Sequence, residues 1–367
     1  MIYFDNNATT PLDERVLDAM MPFMKTMYGN PSSVHRLGRI AKSAVETARE
    51  QVAALVDAPP AQIIFTSGGT EANNLALNSA LVMKKIAIGA TEHPCVFEAA
   101  KRWQKQGKVL DIIPVNSVGI IEEDTIEKLI HSRPNIVSIM LANNETGTIQ
   151  AIQDIAATLT PHGICVHSDA VQALGKIPLS FSQLGVQWLS ISSHKIYGPK
   201  GCGALIFDKS TPPHALIVGG GQEQDLRSGT ENVAAIVGFG KAAELAKREL
   251  NERNDKVLAL RSLLEAELLK NARVTLFSIH TQRLPNTVLF GLDSIDGEWV
   301  LLKLDQLGIA VSSGSACTSG ATEPSPVLLA MGIAPEKAQT ALRVSLSHHN
   351  TADEILKFVE IIHSLGK

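Results

Sequence analysis

No stretch of about 18 consecutive apolar residues occurs in this chain, so nothing in it reads as a membrane-spanning helix. The opening, "MIYFDNNATTPL", lacks a basic segment followed by an apolar one. No secretory signal is indicated, and the cytoplasm is the expected compartment. Long runs of one charge sign are missing too. With 33 Lys and Arg against 37 Asp and Glu, the net charge is −4, which offers no attraction to nucleic acid or to a membrane surface. Cysteine is scarce: Cys95, Cys165, Cys202 and Cys317 are the four, and none form a C-x-x-C pair, which argues against a zinc or redox motif. Internal repeats and low-complexity tracts are absent.

The cysteines differ in their surroundings. Cys165 in "GICVHSD" and Cys202 in "GCGALIF" sit in strand-like apolar runs and read as small buried residues. Cys317 has no such setting. It lies in "SSGSACTSG", residues 312–320, a run without one bulky side chain, which describes a mobile, wet loop.

What the chain does have is alternation. At 367 residues it exceeds one typical core, and a large domain over 15–250 with a smaller one formed by 1–14 and 251–367 is expected. "RIAKSAVETAREQVAAL" carries apolar residues at helical steps. Short apolar runs follow at "QIIFTSGGTE", "KIAIGA", "VLDIIPV", "NIVSIML", "GICVHSD", "WLSIS" and "GALIFD", mostly with helix-like segments between them. Such alternation predicts an α/β unit with a largely parallel sheet covered on both faces, whose ligands gather beyond the carboxyl ends of the strands. From Val233 to about Lys270 the composition predicts a long helix, with a break near "NERND". Strands near "TVLFGL" and "ALRVSLS", with helices near "GEWVLLKLDQL" and over 352–365, give the smaller unit an α+β character.

Polar clusters fall where that sheet would put a ligand. "FTSGGTE" offers the N–H groups of a glycine turn opening a helix, suited to a phosphate, though many α/β loops share its appearance. Asp169 in "VHSDAVQ" follows a strand, either as a functional carboxylate with Gln172 three residues on or as a helix cap. Lys195 in "LSISSHKIYGPKG" is either a solvated lysine or a working amine, and His93 in "EHP" precedes a helix beginning near Pro94. Together, an amine, a carboxylate, a phosphate cradle and a flat imidazole are what pyridoxal phosphate requires.

The chain resembles the fold-type I, class V aminotransferase family and, within it, the cysteine desulfurases of the NifS/IscS kind. The likeness runs in order through "DNNATTP", "FTSGGTEANNLA", "NNETG", "HSDAVQ", "SSHKIYGPKG", "RSGT", "SSGSACTSG" and "ALRVSLS". It implies a large domain with a mainly parallel seven-stranded sheet plus a smaller α+β domain. It implies pyridoxal 5'-phosphate held as a Schiff base by Lys195, with Asp169 on the ring nitrogen, Gln172 on the phenolic oxygen and His93 stacked on the ring. Asn144 would contact ring or substrate. Gly69, Thr70, Ser192 and His194 would hold the phosphate, Thr230 would reach the phosphate of the partner subunit in a homodimer, and Arg343 would clamp the substrate carboxylate.

The same resemblance implies an enzyme that converts L-cysteine to L-alanine, with the sulfur taken by Cys317 as a persulfide and delivered to an acceptor protein. That acceptor would be an iron–sulfur scaffold or a thiolation enzyme. Related readings are a selenocysteine lyase or an aminotransferase in which Cys317 is incidental. A non-catalytic sulfur-relay scaffold is the reading from a different class. The stretch from Cys317 to "EPSPVLLAMG" matches the longer-loop members, whose cysteine reaches outward to a protein acceptor. The end at Lys367, soon after the last helix, leaves no tail of the sort that docks a scaffold in housekeeping members. "HHNTADE" departs from the family pattern, and His348 and His349 are read as solvated loop residues or as residues altering the substrate mouth.

Overall fold

The computed structural model of the protein describes residues 1–79, 84–313 and 324–365. The chain opens on strand β1 (Ile2–Tyr3) and helices α1 (Glu14–Lys25) and α2 (Arg36–Leu55). Then come β2 (Ile63–Thr66), α3 (Gly69–Asn78), β3 (Lys85–Gly89), α4 (Pro94–Gln104), β4 (Val109–Ile113) and α5 (Glu123–Ser132). They are followed by β5 (Ile136–Ser138), α6 (Ile152–Leu159), β6 (Cys165–Asp169), α7 (Phe181–Leu184), β7 (Trp188–Ser192) and β8 (Gly203–Phe207). Strands β2 to β8 form one seven-stranded sheet in the order β2-β8-β7-β6-β5-β3-β4.

Only β8 is reversed in that sheet, pairing antiparallel with both β2 and β7, while β7-β6-β5-β3-β4 are mutually parallel. The carboxyl ends of β2, β3, β5, β6 and β7 therefore share one edge, where a ligand gathers. Strands covered on both faces read as continuous apolar runs, and β2, β7 and β8 are buried at every position. Successive side chains of β2 enter opposite layers: Ile63 and Phe65 face the core shared with α2, and Ile64 the core shared with α3 and α4. The edge strand β4 exposes half of Val109 and Ile112.

Helix α8 (Val233–Leu268) leads out of this layer as one unbroken rod of 36 residues, about 54 Å long. The break predicted near "NERND" does not occur. No glycine or proline interrupts that stretch, and Arg253 ties back one turn to Glu249 at 2.7 Å. Ala235 to Ala246 of this helix pack into the large sheet's core, and Val257 to Leu268 into a second core with Phe4, Phe290 and Phe358.

The second core is built from β9 (Val274–Leu276), β10 (Thr287–Leu292), α9 (Gly297–Gln306), β11 (Ile309–Ala310) and β12 (Ser312–Ser313). After the undescribed stretch come α10 (Pro326–Ala330), α11 (Pro335–Ala338), β13 (Ala341–Ser345) and α12 (Ala352–Leu365). Its sheet is antiparallel, in the order β12-β13-β10-β9, and β1 pairs parallel with β11, so the start of the chain belongs to this layer.

A buried ion pair fixes the position of β2. The two terminal guanidinium nitrogens of Arg49 meet the two oxygens of Glu223 at 2.8 Å, with the side chains 8% and 3% exposed. Glu223 also accepts from the Phe65 N–H at 2.8 Å, and Arg49 donates to the Ile63 carbonyl at 2.8 Å. Arg49→Met leaves a buried carboxylate unpaired and is expected to lower the unfolding free energy by about 3–5 kcal/mol. A loss below about 1 kcal/mol in denaturant unfolding would contradict the anchoring role.

Candidate active site

A cavity of about 280 Å³ opens at the carboxyl edge of the large sheet, and residues from seven separate stretches line it. Gly69, Thr70, His93, Asn144, Asp169, Gln172, Ser192, His194, Lys195 and Arg343 are all on its wall, so the structure brings these sequence-selected residues together. Two others are not brought there. Thr230 is exposed and lines a separate hollow of about 190 Å³ with Ser67 and Arg227. Cys317 lies outside the described residues.

Asp169 ends β6, where the sheet delivers its carboxylate to the cavity floor, 5% exposed. It is not a helix cap. Its Oδ1 accepts from the N–H of Val171 at 2.9 Å, and its Oδ2 from Nδ2 of Asn73 at 2.6 Å, which fixes the carboxylate plane. Lys195 closes the short turn after β7, and its Nζ donates to the carbonyls of Asn7 and, at 2.8 Å, Ala8. His93 caps α4, with Pro94 as first helical residue. The N–H of Cys95 donates to Nδ1 of His93 at 3.2 Å, so the neutral ring carries its proton on Nε2. Burial pushes the His93 imidazole below its ordinary range; the charge of Asp169 opposes this and that of Lys195 adds to it. His194 is also driven down, to about 4, by burial and then by Lys195, Lys200 and Lys176, so it is neutral at pH 7.

Arg343 sits mid-strand in β13, opposite Leu289 on one side and Ser312 on the other. Its Nη2 donates to Asp5 Oδ1 at 2.7 Å and its Nη1 to the Asn144 carbonyl at 3.0 Å. Its Nε is buried without a partner among the described residues, which leaves donors for an anionic ligand.

Sequence reading missed four residues of this site. Asn7, 1% exposed, accepts on its carbonyl from Lys195 and Gln172, and its side chain reaches Asn144, Thr287, Lys176 and Asn286. Asn73 holds Asp169. Glu92, 4% exposed, accepts from the Met140 N–H at 2.6 Å; burial, with the charge of Asp169 adding to it, raises its carboxyl well above the usual range. Lys176 bonds Gln172. Both asparagines stand in motifs already singled out, "DNNATTP" and "TEANN", and that was the only available signal.

Two further expectations need correction. His348 is half-buried, edge-on to Tyr197 with ring centres 4.7 Å apart, and burial drives its ring to about 3; it is no solvated loop residue, whereas His349 is exposed. Cys202 is buried as expected, but Cys165 begins β6 only partly covered, because the first residue of a strand lies at the sheet margin.

The cavity fits pyridoxal 5'-phosphate on its own evidence. The hydroxyl of Ser192 is buried without a partner among the described residues, beside Gly69, where a Cβ would come within 2.8 Å of Val171. That opening lies at the N-terminus of α3, whose cap Gly68 supplies no side-chain acceptor, an arrangement suited to an anion. An amine and an oriented carboxylate on the same wall match the cofactor's aldehyde and ring nitrogen.

The fold and this wall define a pyridoxal-phosphate enzyme of a known class: the Aminotransferase class-V family model matches residues 2–358, and the chain belongs to that family. Within it, the relatives are cysteine desulfurases. One from Nostoc sp. is 44% identical over 369 residues, covering 99% of this chain and 92% of its own. A solved NifS-like protein superposes with a TM-score of 0.93 at 39% identity, over 99% of this chain and 98% of its own. A structure described as SspA in complex with cysteine aligns with a TM-score of 0.82 at 31% identity, over 96% of this chain and 100% of that one.

Cys95 also lines the cavity, with Sγ 3.0 Å from His93 Nδ1 and 3.1 Å from Asn73 Nδ2. Burial, reinforced by Asp169, pushes its thiol up to about 12. At pH 8 about one molecule in ten thousand then carries the thiolate. Iodoacetamide at pH 8, followed by peptide mass spectrometry, is expected to leave Cys95 unmodified while an ordinary exposed thiol reacts fully. Rapid labelling of Cys95 in folded protein would show that its surroundings are misread.

Proposed function

We propose that the protein is a pyridoxal 5'-phosphate-dependent cysteine desulfurase, turning L-cysteine into L-alanine and passing sulfur to Cys317. One observation carries this reading. The described residues flanking the Cys317 segment are tied to the rim of the cavity that holds Lys195. On one side Ser312 pairs with Arg343; on the other, the Ser325 hydroxyl bonds Glu145, the neighbour of Asn144. Cys317 is the fifth residue after Ser312, so the chain between them spans at most about 18 Å.

When bound, the cofactor supplies an electron sink that makes the bond at the substrate's Cα labile. Lys195 holds it and moves the proton at Cα. Asp169, aligned by Asn73 and the Val171 N–H, keeps the ring nitrogen protonated, and Gln172 donates to the ring oxygen. Gly69, Thr70, Ser192 and neutral His194 hold the phosphate. His93 would stack on the ring, and Asn144 would contact ring or substrate. Arg343 binds the substrate carboxylate through a guanidinium still able to donate. The Cys317 thiolate then takes the substrate sulfur: the Cβ–Sγ bond breaks, an S–S bond forms, and the sulfur's former partner carbon gains a proton to become the methyl of L-alanine.

Of the other cysteines, Cys95 and Cys165 have thiols raised by burial, as does Cys202, so none supplies a ready thiolate. The same proposal has two copies associating in the cytoplasm, with Thr230 serving the partner's phosphate. Its exposure and its distance from the Lys195 cavity support that. A division into 15–250 and a unit of 1–14 with 251–367 is supported by the change of core along α8. The persulfide would be handed to an iron–sulfur scaffold or a thiolation enzyme.

Alanine and sulfide from L-cysteine are expected in equal amounts when a thiol reductant is present. Cys317→Ser is expected to keep the cofactor's yellow colour and lose sulfide release by about a hundredfold or more. Undiminished turnover in that variant, keto-acid release in place of alanine, or release of selenide from selenocysteine without sulfide from cysteine would each reject the assignment.

A further inference from the structure

A second lysine lies behind the first. Lys176 is only 9% exposed, four residues beyond Gln172 in the turn after β6. Gly175, at φ +66, permits this placement: a Cβ there would come within 2.7 Å of Ile196, the residue following Lys195. The turn is thus pressed against the side chain of Ile196, the residue next to Lys195.

Lys176 Nζ donates to Gln172 Oε1 at 2.9 Å and to Asn7 Oδ1 at 3.1 Å. Both partners are neutral amide oxygens. The charged groups acting on the amine are Lys195 and Arg343, both cationic, and burial together with these two drives it well below the usual lysine range. A lysine so placed is costly unless its donors are used. An ammonium or amine donates, so it dictates the facing atom of each amide. With Oε1 turned to Lys176, Gln172 must present its Nε2–H₂ to the Lys195 side, where one hydrogen already reaches the Asn7 carbonyl at 2.9 Å. The other is left for a cavity ligand.

We propose that Lys176 is a positioning residue: by holding Gln172 and Asn7 through their amide oxygens, it keeps the Gln172 N–H turned toward the ring oxygen of the cofactor and the Asn7 carbonyl turned toward Lys195. The role rests on the functional reading above. It acts through Gln172 and Asn7, not by touching the cofactor. Without Lys176 the Gln172 amide can rotate and present its oxygen to an anionic ring oxygen, which disfavours the deprotonated form of the bound cofactor.

The test uses full-length wild type, Lys176→Met and Lys176→Gln, stripped of cofactor and titrated with pyridoxal 5'-phosphate. Borohydride fixation and peptide mapping locate the attachment, and thermal unfolding of the apoproteins confirms folding. Lys176→Met is expected to weaken cofactor binding about tenfold or more, as loss of an outer-shell partner does elsewhere. It is also expected to raise the pH midpoint of the bound cofactor's visible spectrum by about one unit. Lys176→Gln, which keeps a donor, is expected to move the midpoint in the same direction by less, and carries the test if the methionine variant does not fold. An unmoved midpoint in a folded variant that carries the cofactor on Lys195 overturns the Lys176 role alone. Wild type with no label on Lys195 sinks the functional reading and this role with it.

Discussion

The hydrogen bonds of Asn7 are the constraint on which the site depends. This one residue, near the start of the chain, meets both sheets. Its carbonyl receives Lys195 and Gln172 from the large sheet's edge. Its side-chain nitrogen meets the Asn144 carbonyl and Thr287 of β10, and its N–H reaches Ser345 at the end of β13. No single sheet supplies all the chemistry, since Lys195 and Asp169 come from one layer and Arg343 from the other. The N-terminal segment is the wedge that sets their separation, and Asp5, two residues earlier, holds Arg343 by the same means. Because Asn7 is buried, each partner lost would leave one of its groups unsatisfied, which makes the arrangement stiff.

Charge in the cavity is arranged for a ligand with two anionic ends. Lys195, Arg343 and the open N-terminus of α3 are positive features on opposite walls, suited to a phosphate and a carboxylate. Between them stands one carboxylate, Asp169, in a fixed plane. Burial raises the Glu92 carboxyl well above the usual range, and burial with the neighbouring lysines drives the His194 imidazole down to about 4.

Much of this was legible in sequence, and the reasons are specific. Parallel strands buried on both faces announce themselves as apolar runs, and such strands must deliver ligands at their carboxyl ends. Asp169 and Lys195 were therefore found from their place after a run, whereas Ser192 came only with the family resemblance. His93 was found because a proline fixes the helix start that it caps. What escaped notice acts through a neighbour. Asn7, Asn73 and Lys176 touch other side chains, and their partners lie up to 338 residues away in the chain. No local pattern marks a lysine as buried: Lys176 looks like the solvated end of a turn until Gly175 and Ile196 are seen pressed together. The unbroken α8 escaped for the opposite reason, because a polar stretch that contains no breaker simply continues as helix. Thr230 was picked out by its motif and yet stands apart from the Lys195 cavity, lining a separate hollow with Ser67 and Arg227.

The central claim is that sulfur leaves the substrate at the Lys195 cavity and is collected by the thiol tethered between Ser312 and Ser325. Single-turnover mass spectrometry measures this directly: cofactor-loaded protein is mixed with one equivalent of L-cysteine, without reductant, and digested under conditions that preserve sulfur–sulfur bonds. The account predicts one extra sulfur atom on the peptide containing Cys317, with alanine formed in equal amount. Alanine formed with the extra sulfur on Cys95, or with no sulfur retained on the protein, would contradict it.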